Sequence, residues 1–301
     1  MLEISTNSAS ILRGCPMKYK WHYIDGYIPH KKSSALSLGS VIHAGFDMFY
    51  NRFTDAEIIT YIKKTIDQEL SKISPSEAED YIIVKYTALG MWLNYPKDLT
   101  VFKEIKPEME FRVEIIPNNY FTGRIDGLVV DMNGRMWVRE FKTTSLSFSQ
   151  FERRAKTSSQ GTGYIWAMRK LGYPVVGIMY DFIKKTLLRK GVQDDAHSYG
   201  YKIMQDYKLR PDYYFKRHFS YRNEEELVLF EEDLIKVAKD IDQRSKSREW
   251  FRNQDQCWNF NSECPYLRIC FQKVPDQLTI DLSFDIVKSK NKGGANETAD
   301  E

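Results

Sequence analysis

Apolar residues recur at helical spacing through the first third of the chain and at strand spacing through its middle. Ile11, Cys15, Tyr19 and Tyr23 stand four apart behind the caps offered by Ser5, Thr6 and Asn7, which predicts a helix to about residue 23. A loop with Pro29, Lys31 and Lys32 follows, then a helix over about 40–52. Thr54 and Glu57 make a capping box for a helix to about residue 73, and Ser74-Pro75 starts another. From 109 the pattern changes. Runs at 109–116, 125–131, 135–143 and 175–183 are rich in β-branched and aromatic residues, with a helix over 159–171 closed by Gly172 and Pro174. That order predicts an α/β fold, a mixed central β-sheet with a crossover helix packed on one face. Leu227, Phe230, Leu234, Val237 and Ile241 behind an Asn223 cap predict a late buried helix face, with Glu224–Glu226 suiting its first turn. The polar, Gly-Gly-containing end from about 288 predicts disorder. The expected organisation is a helical region 1–100, a sheet-bearing core 101–205, a second helical region 206–285 and a disordered tail 286–301.

One hairpin breaks the apolar pattern. Asn133-Gly134 is a strong turn signal, yet the strands around it carry Asp126, Glu140 and Lys142. A two-residue loop would set Asp126 opposite Phe141 and turn Glu140 to the other face. A three-residue loop, 132–134, with Gly134 left-handed, sets Asp126 opposite Glu140 and is the expected register. Opposed side chains have Cβ atoms about 5 Å apart, so two carboxylates there can grip one hard cation at about 2.1 Å per oxygen. The strand period of two brings Lys142 to the face of Glu140. By itself the hairpin reads more readily as a solvated face with a surface ion pair, which contributes little stability.

Composition narrows the class. With 301 residues, 42% hydrophobic and 28% charged, the chain can bury a sizeable core as an ordinary globular protein. No long uncharged apolar run and no secretion-type leader is visible, so a cytoplasmic or other intracellular site is the default expectation. A net charge of +3 does not demand a polyanionic partner. Local basic clusters at Arg153, Arg154 and Lys156 and at Lys184, Lys185, Arg189 and Lys190 fit either solvated surface or nucleic acid. The 19 Tyr, 17 Phe and 6 Trp are mostly core material, although they would also suit stacking on bases.

The four cysteines are distributed unusually: Cys15 stands in RGCPMKY, while Cys257, Cys264 and Cys270 crowd into CWNFNSECPYLRIC. Four thiols suit an all-cysteine zinc site or an iron-sulfur cluster. The absence of two C-x2-C knuckles, with proline directly after Cys15 and Cys264, favours 4Fe-4S, and ordinary buried thiols are the alternative. Such a cluster would close a loop of about 250 residues and join the helical N- and C-terminal parts.

Gln160 and Tyr164, spaced i, i+4, share one helix face and could bond a phosphate. His43, in LGSVIHAGF, and Glu110, in EMEFRVEI, are individually unremarkable: a core histidine and an exposed strand charge. In order, however, His43, Glu110, Asp126, Glu140-Phe141-Lys142 and Gln160-x-x-x-Tyr164, framed by one early and three late cysteines, resemble the PD-(D/E)XK nuclease superfamily over about residues 10–272. RecB-type exonucleases with an iron-sulfur cluster are the nearest kind. The resemblance implies a restriction-endonuclease-like core in which His43, Asp126, Glu140 and the Phe141 carbonyl bind Mg or Mn. It also implies that Lys142 orients and deprotonates water, that Gln160 and Tyr164 hold the DNA strand, and that Cys15, Cys257, Cys264 and Cys270 hold 4Fe-4S. Two positions depart from the pattern. Glu108 and Glu114 compete with Glu110 for the early acidic role, and six residues separate Cys257 from Cys264 where two are usual. The expected function is a metal-dependent DNA exonuclease in repair, recombination or replication, with a helicase or recombination protein as the candidate partner. The rival is a non-catalytic iron-sulfur DNA-binding subunit.

Overall fold

The computed structural model describes residues 1–30, 34–97, 102–259, 262–272 and 274–287. It is a mixed α/β structure, and contacts divide it into two units. The first comprises Met1–Lys31, Phe111–Gly123 and Asn223–Glu301; the second comprises Lys32–Glu110 and Arg124–Arg222.

The chain opens with β1 (Leu2–Ile4), α1 (Thr6–Gly14) and α2 (Pro16–Tyr19), a π-helical turn over Lys20–Ile24, and β2 (Tyr27–Pro29). The single helix expected to residue 23 is broken at Cys15, whose backbone is extended at φ −155° and ψ 103°. Pro16 is the cause, because its ring disfavours helical backbone in the residue before it. Next come α3 (Ser34–Tyr50), starting earlier than expected, then α4 (Asp55–Leu70), with the capping box of Thr54 and Glu57, and α5 (Pro75–Asn94). The strands β3 (Phe102–Ile116), β4 (Asn119–Asp131) and β5 (Met136–Thr144) follow. Then come α6 (Phe148–Lys156), α7 (Ser159–Lys170), β6 (Val175–Lys184), α8 (Ala196–Leu209), α9 (Pro211–Tyr214) and β7 (Phe215–Ser220). The chain continues through α10 (Glu224–Ser247), capped by Asn223 and Glu226, β8 (Trp258–Asn259), β9 (Ser262–Glu263), α11 (Leu267–Cys270), α12 (Gln277–Ser283) and β10 (Phe284–Ile286). The expected disordered tail lies outside the described residues from 288 onward. No helix among the described residues is long and apolar enough to cross a membrane.

In the second unit β3, β4, β5, β6 and β7 lie side by side, with β4–β5 and β6–β7 antiparallel and β5–β6 parallel. The parallel pair is possible because α6 and α7 supply the crossover. Strand alternation sorts the side chains onto two faces. Phe141 and Ile183 join the core built from α3, α4, α5 and α8, where Phe46 stacks on Phe141 with centroids 3.8 Å apart. Tyr180 and Phe182 face the other way and meet Phe151 of α6 at 5.4 and 5.0 Å. Helix α7 comes so close to β6 that a Cβ on Gly161 would lie 2.3 Å from the Tyr180 hydroxyl, which explains a poor helix former at that position. Buried Arg222 bonds the carbonyl of Ala155 (2.8 Å) and the hydroxyls of Ser220 (2.8 Å) and Thr162 (2.7 Å), fastening both crossover helices to the end of β7.

In the first unit β1 pairs in parallel with the start of β4, Leu2 to Asn119 and Ile4 to Phe121. Phe121 packs on Phe111 and on Phe230 of α10, whose Leu234, Val237 and Ile241 are buried as their spacing predicts. Tyr19 stacks on Trp250, and β2 pairs antiparallel with β10, so the N- and C-terminal segments share this unit.

Candidate active site

The β4–β5 turn decides which side chains meet. Asp131 N–H bonds the Arg135 carbonyl at 3.0 Å, which leaves Met132, Asn133 and Gly134 as the loop, and Gly134 has φ +76°. This is the three-residue register, with Val130 opposite Met136 and Gly127 opposite Arg139. One step further the same register would set Asp126 opposite Glu140, but the ladder ends with Gly127 and Arg139. The Asp126 side chain takes the place of a backbone partner, its Oδ2 accepting the Phe141 N–H at 2.8 Å.

Four ionisable side chains converge at this end of the sheet. His43 Nδ1, from α3, lies 3.3 Å from Asp126 Oδ1, and Lys142 Nζ lies 2.6 Å from Glu140 Oε1. Glu140 is only 3% exposed, and its Oε2 has no hydrogen-bond partner. Burial and the neighbouring Asp126 charge push the Glu140 carboxyl up to about 7, against the pull of Lys142 and His43. Burial would also raise Asp126, but the hydrogen bond and charge of His43, the Phe141 N–H and Lys142 together hold it below its ordinary value. Burial by itself would lower both His43 and Lys142; Asp126 outweighs it for the first and Glu140 for the second, so both are raised. Lys142 is thereby held charged beside a carboxylate that lacks one partner.

From α7, on the Glu140 face, Gln160 Nε2 donates to the Tyr164 hydroxyl at 2.8 Å. Burial, then the Glu140 charge, raises the Tyr164 pKa, which keeps the hydroxyl neutral and able to donate. Tyr180, which pairs with Glu140 in the β5–β6 register, has its hydroxyl raised by burial and by Glu140 as well. Sequence reasoning did not single it out.

A cleft of about 600 Å³ opens beside His43, lined by Gly39, Ser40, Asp47, Glu108, Arg124, Thr143 and Lys185. Of the acidic residues on β3, Glu108 lines this cleft, whereas Glu110 is exposed and outside it. Glu108 pairs with Arg124 at 2.7 Å; burial and the Asp47 and Asp126 charges raise its carboxyl despite that pairing. Asp47 was missed from the sequence, whereas Lys185 stood there only within a basic cluster that fits solvent or nucleic acid. The i, i+4 spacing of His43 and Asp47 on one helix was the available signal for the former.

In the first unit all four cysteines line a second, small cavity of about 10 Å³ together with Lys18, Trp21, Arg252 and Tyr266. All four are free thiols. Their unusual spacing has a structural cause: β8 and β9 form a small hairpin, and at its base Cys264 N–H bonds the Cys257 carbonyl at 2.8 Å. Asn253 N–H points at Cys15 Sγ at 3.4 Å, and burial pushes the Cys264 and Cys270 thiols up. Even so, among the described residues no three His, Cys, Asp or Glu side chains converge closely enough to hold a metal ion, in either unit. The expected four-cysteine junction is therefore a shared cavity rather than an assembled ligand cage. The carboxylates of the second unit are instead engaged with His43, Lys142 and a backbone N–H.

A mixed sheet with helices on both faces, presenting an aspartate on one strand and a Glu-x-Lys pair on the next, defines the architecture of a nuclease core. A family model of the PD-(D/E)XK nuclease superfamily matches residues 3–271, and the chain belongs to that superfamily. No curated protein matches it.

Proposed function

We propose that this chain is a Mg- or Mn-dependent deoxyribonuclease that hydrolyses phosphodiester bonds from free or single-stranded DNA ends inside the cell, in repair, recombination or replication. One observation carries the reading. A fully buried carboxylate, Glu140, has an unpartnered oxygen beside Asp126 and Lys142, an arrangement costly for stability and suited to a cation. His43, Asp126, Glu140 and the Phe141 carbonyl would hold that cation, with Glu108 rather than Glu110 the nearer additional acid. The cation, when bound, polarises the phosphate and lowers the pKa of bound water. Lys142, kept charged by Glu140, orients the attacking water and offsets charge on the phosphate. Gln160 and Tyr164 donate to the strand being cut, and Arg124 and Lys185 on the cleft wall suit the flanking phosphates.

Incubation of end-labelled linear and circular DNA with Mg or Mn tests this directly. The expected result is loss of linear DNA with circles resistant. Cleavage of circles would make the enzyme an endonuclease, and binding without any cleavage would leave a non-catalytic DNA-binding subunit.

For the second cavity we propose a 4Fe-4S cluster on Cys15, Cys257, Cys264 and Cys270. What supports this reading is the donor set alone: four free thiols line one small cavity, and four thiolates are what such a cluster takes. Freshly purified anaerobic protein is expected to show sulfur-to-iron charge-transfer absorbance and about four iron atoms per chain. Zinc in place of iron, or neither metal, would remove the cluster without touching the nuclease assignment.

A further inference from the structure

Gly127, directly after Asp126, has no room for a side chain: a Cβ there would lie 2.7 Å from Arg139 Nη2 and 2.8 Å from Glu104 Oε1. Arg139 faces Gly127 across the β4–β5 ladder, so the missing side chain lets the guanidinium lie over β4 and reach Glu104 on β3. The guanidinium also sits 3.4 Å from the centroid of the Tyr50 ring and donates from Nη2 to the Asp126 carbonyl at 3.2 Å. Arg139 is 2% exposed. A buried ion pair is a weak source of stability, because desolvation offsets its attraction, so this one calls for another reason.

The position supplies the reason. Gly127 and Arg139 are the last pair of the ladder, and beyond them the Asp126 side chain is committed to the Phe141 N–H and to His43. Without Arg139 the Asp126 peptide would lose the contact that holds its carbonyl where the strands part. We propose that Arg139 and Glu104 are a positioning pair that anchors the Asp126 backbone and so fixes where its carboxylate stands relative to Glu140 and to a divalent cation taken up there. Arg139 lies on the opposite face of β5 from Glu140 and Lys142 and acts through the Asp126 peptide, not on substrate. The cation's catalytic use rests on the nuclease reading; the anchoring does not.

The test compares wild type with Glu104→Gln, Arg139→Lys and Gly127→Ala, reading Mn(II) affinity by electron paramagnetic resonance without DNA, cleavage kinetics, and thermal melting. Each variant is expected to bind Mn(II) about tenfold more weakly, with kcat lowered and KM for DNA unchanged. Glu104→Gln keeps the shape of the side chain, so it remains informative if Arg139→Lys does not fold. Variants that melt earlier yet bind Mn(II) like wild type would show a purely structural pair and overturn the proposal. Wild-type protein that binds Mn(II) but cuts no DNA would sink the nuclease reading alone, with the affinity comparison still deciding the anchor. Wild-type protein that binds no Mn(II) overturns both.

Discussion

Lys142→Ala is expected to lower the rate of DNA cleavage by about 10²–10³-fold while leaving DNA affinity within about threefold of wild type, measured by single-turnover cleavage and by binding in Ca(II). Lys142 lies on the strand that presents Glu140, two residues on and one third exposed, so it can reach a bound phosphate while staying paired. The pairing keeps it charged, and a charged ammonium beside the reacting phosphate helps most as negative charge builds up there. Substrate affinity should change little, because a strand lying along the cleft meets Arg124 and Lys185 independently of Lys142. Removing the ammonium also leaves Glu140 buried without its ion-pair partner, so the variant is expected to melt a few degrees lower at pH 8 than at pH 6, where Glu140 can stay protonated. Unchanged turnover would take Lys142 out of the reaction.

Mn(II) affinity is expected to fall at least tenfold per pH unit below about 7, measured by titration of the apo protein between pH 5 and pH 8. The cause is Glu140, whose carboxyl burial and Asp126 push up to about 7, so below that value a proton competes with the cation for the same oxygens. The stability consequence has a definite sign. The folded state keeps the Glu140 proton up to about pH 7, whereas the unfolded chain releases it near 4.5, so folding stability from this group falls as pH rises between those values. Glu104, also pushed up to about 7 by burial against the pull of Arg139, acts in the same direction. Mn(II) should restore part of that loss, because it binds only the folded, deprotonated site. The same titration on Glu140→Gln, shallower over that range because His43, raised against its burial by Asp126, is then the remaining proton competitor, would tie the difference to this carboxyl. A wild-type affinity flat from pH 5 to pH 8 would show that Glu140 is not a ligand.

Much of the local structure was legible in the sequence because its causes are local. The Asn133-Gly134 turn, the Thr54–Glu57 box, the Asn223 cap and the 3.6-residue spacing in α10 each depend on a few neighbouring residues, and each forms as expected. The break at Cys15 was also written locally, in the proline that follows it, but the four-residue apolar spacing hid it. Helices α6 and α8 and strand β7 were less visible. Apolar positions are few in α6 and β7, while the stripe Ala196, Tyr199, Ile203 and Tyr207 of α8 went unread; their burial comes from partners far along the chain, such as Phe182 for Phe151 and Lys184, whose carbonyl takes the Tyr207 hydroxyl bond at 2.8 Å.

For the candidate site, residue types and order pointed to Asp126, Glu140 and Lys142, and strand periodicity with one turn length brings them to the same end of the sheet. Tertiary structure alone decided the rest. Glu108 lines the cleft instead of Glu110, Asp126 takes the Phe141 N–H, Arg139 reaches across Gly127 to Glu104, and a two-strand hairpin brings Cys257 and Cys264 to one cavity. The physical reason is the range of the forces involved. Turn chemistry and side-chain periodicity act over a few residues and are written in the sequence, whereas desolvation and charge pairing depend on which distant groups the fold brings within a few ångströms.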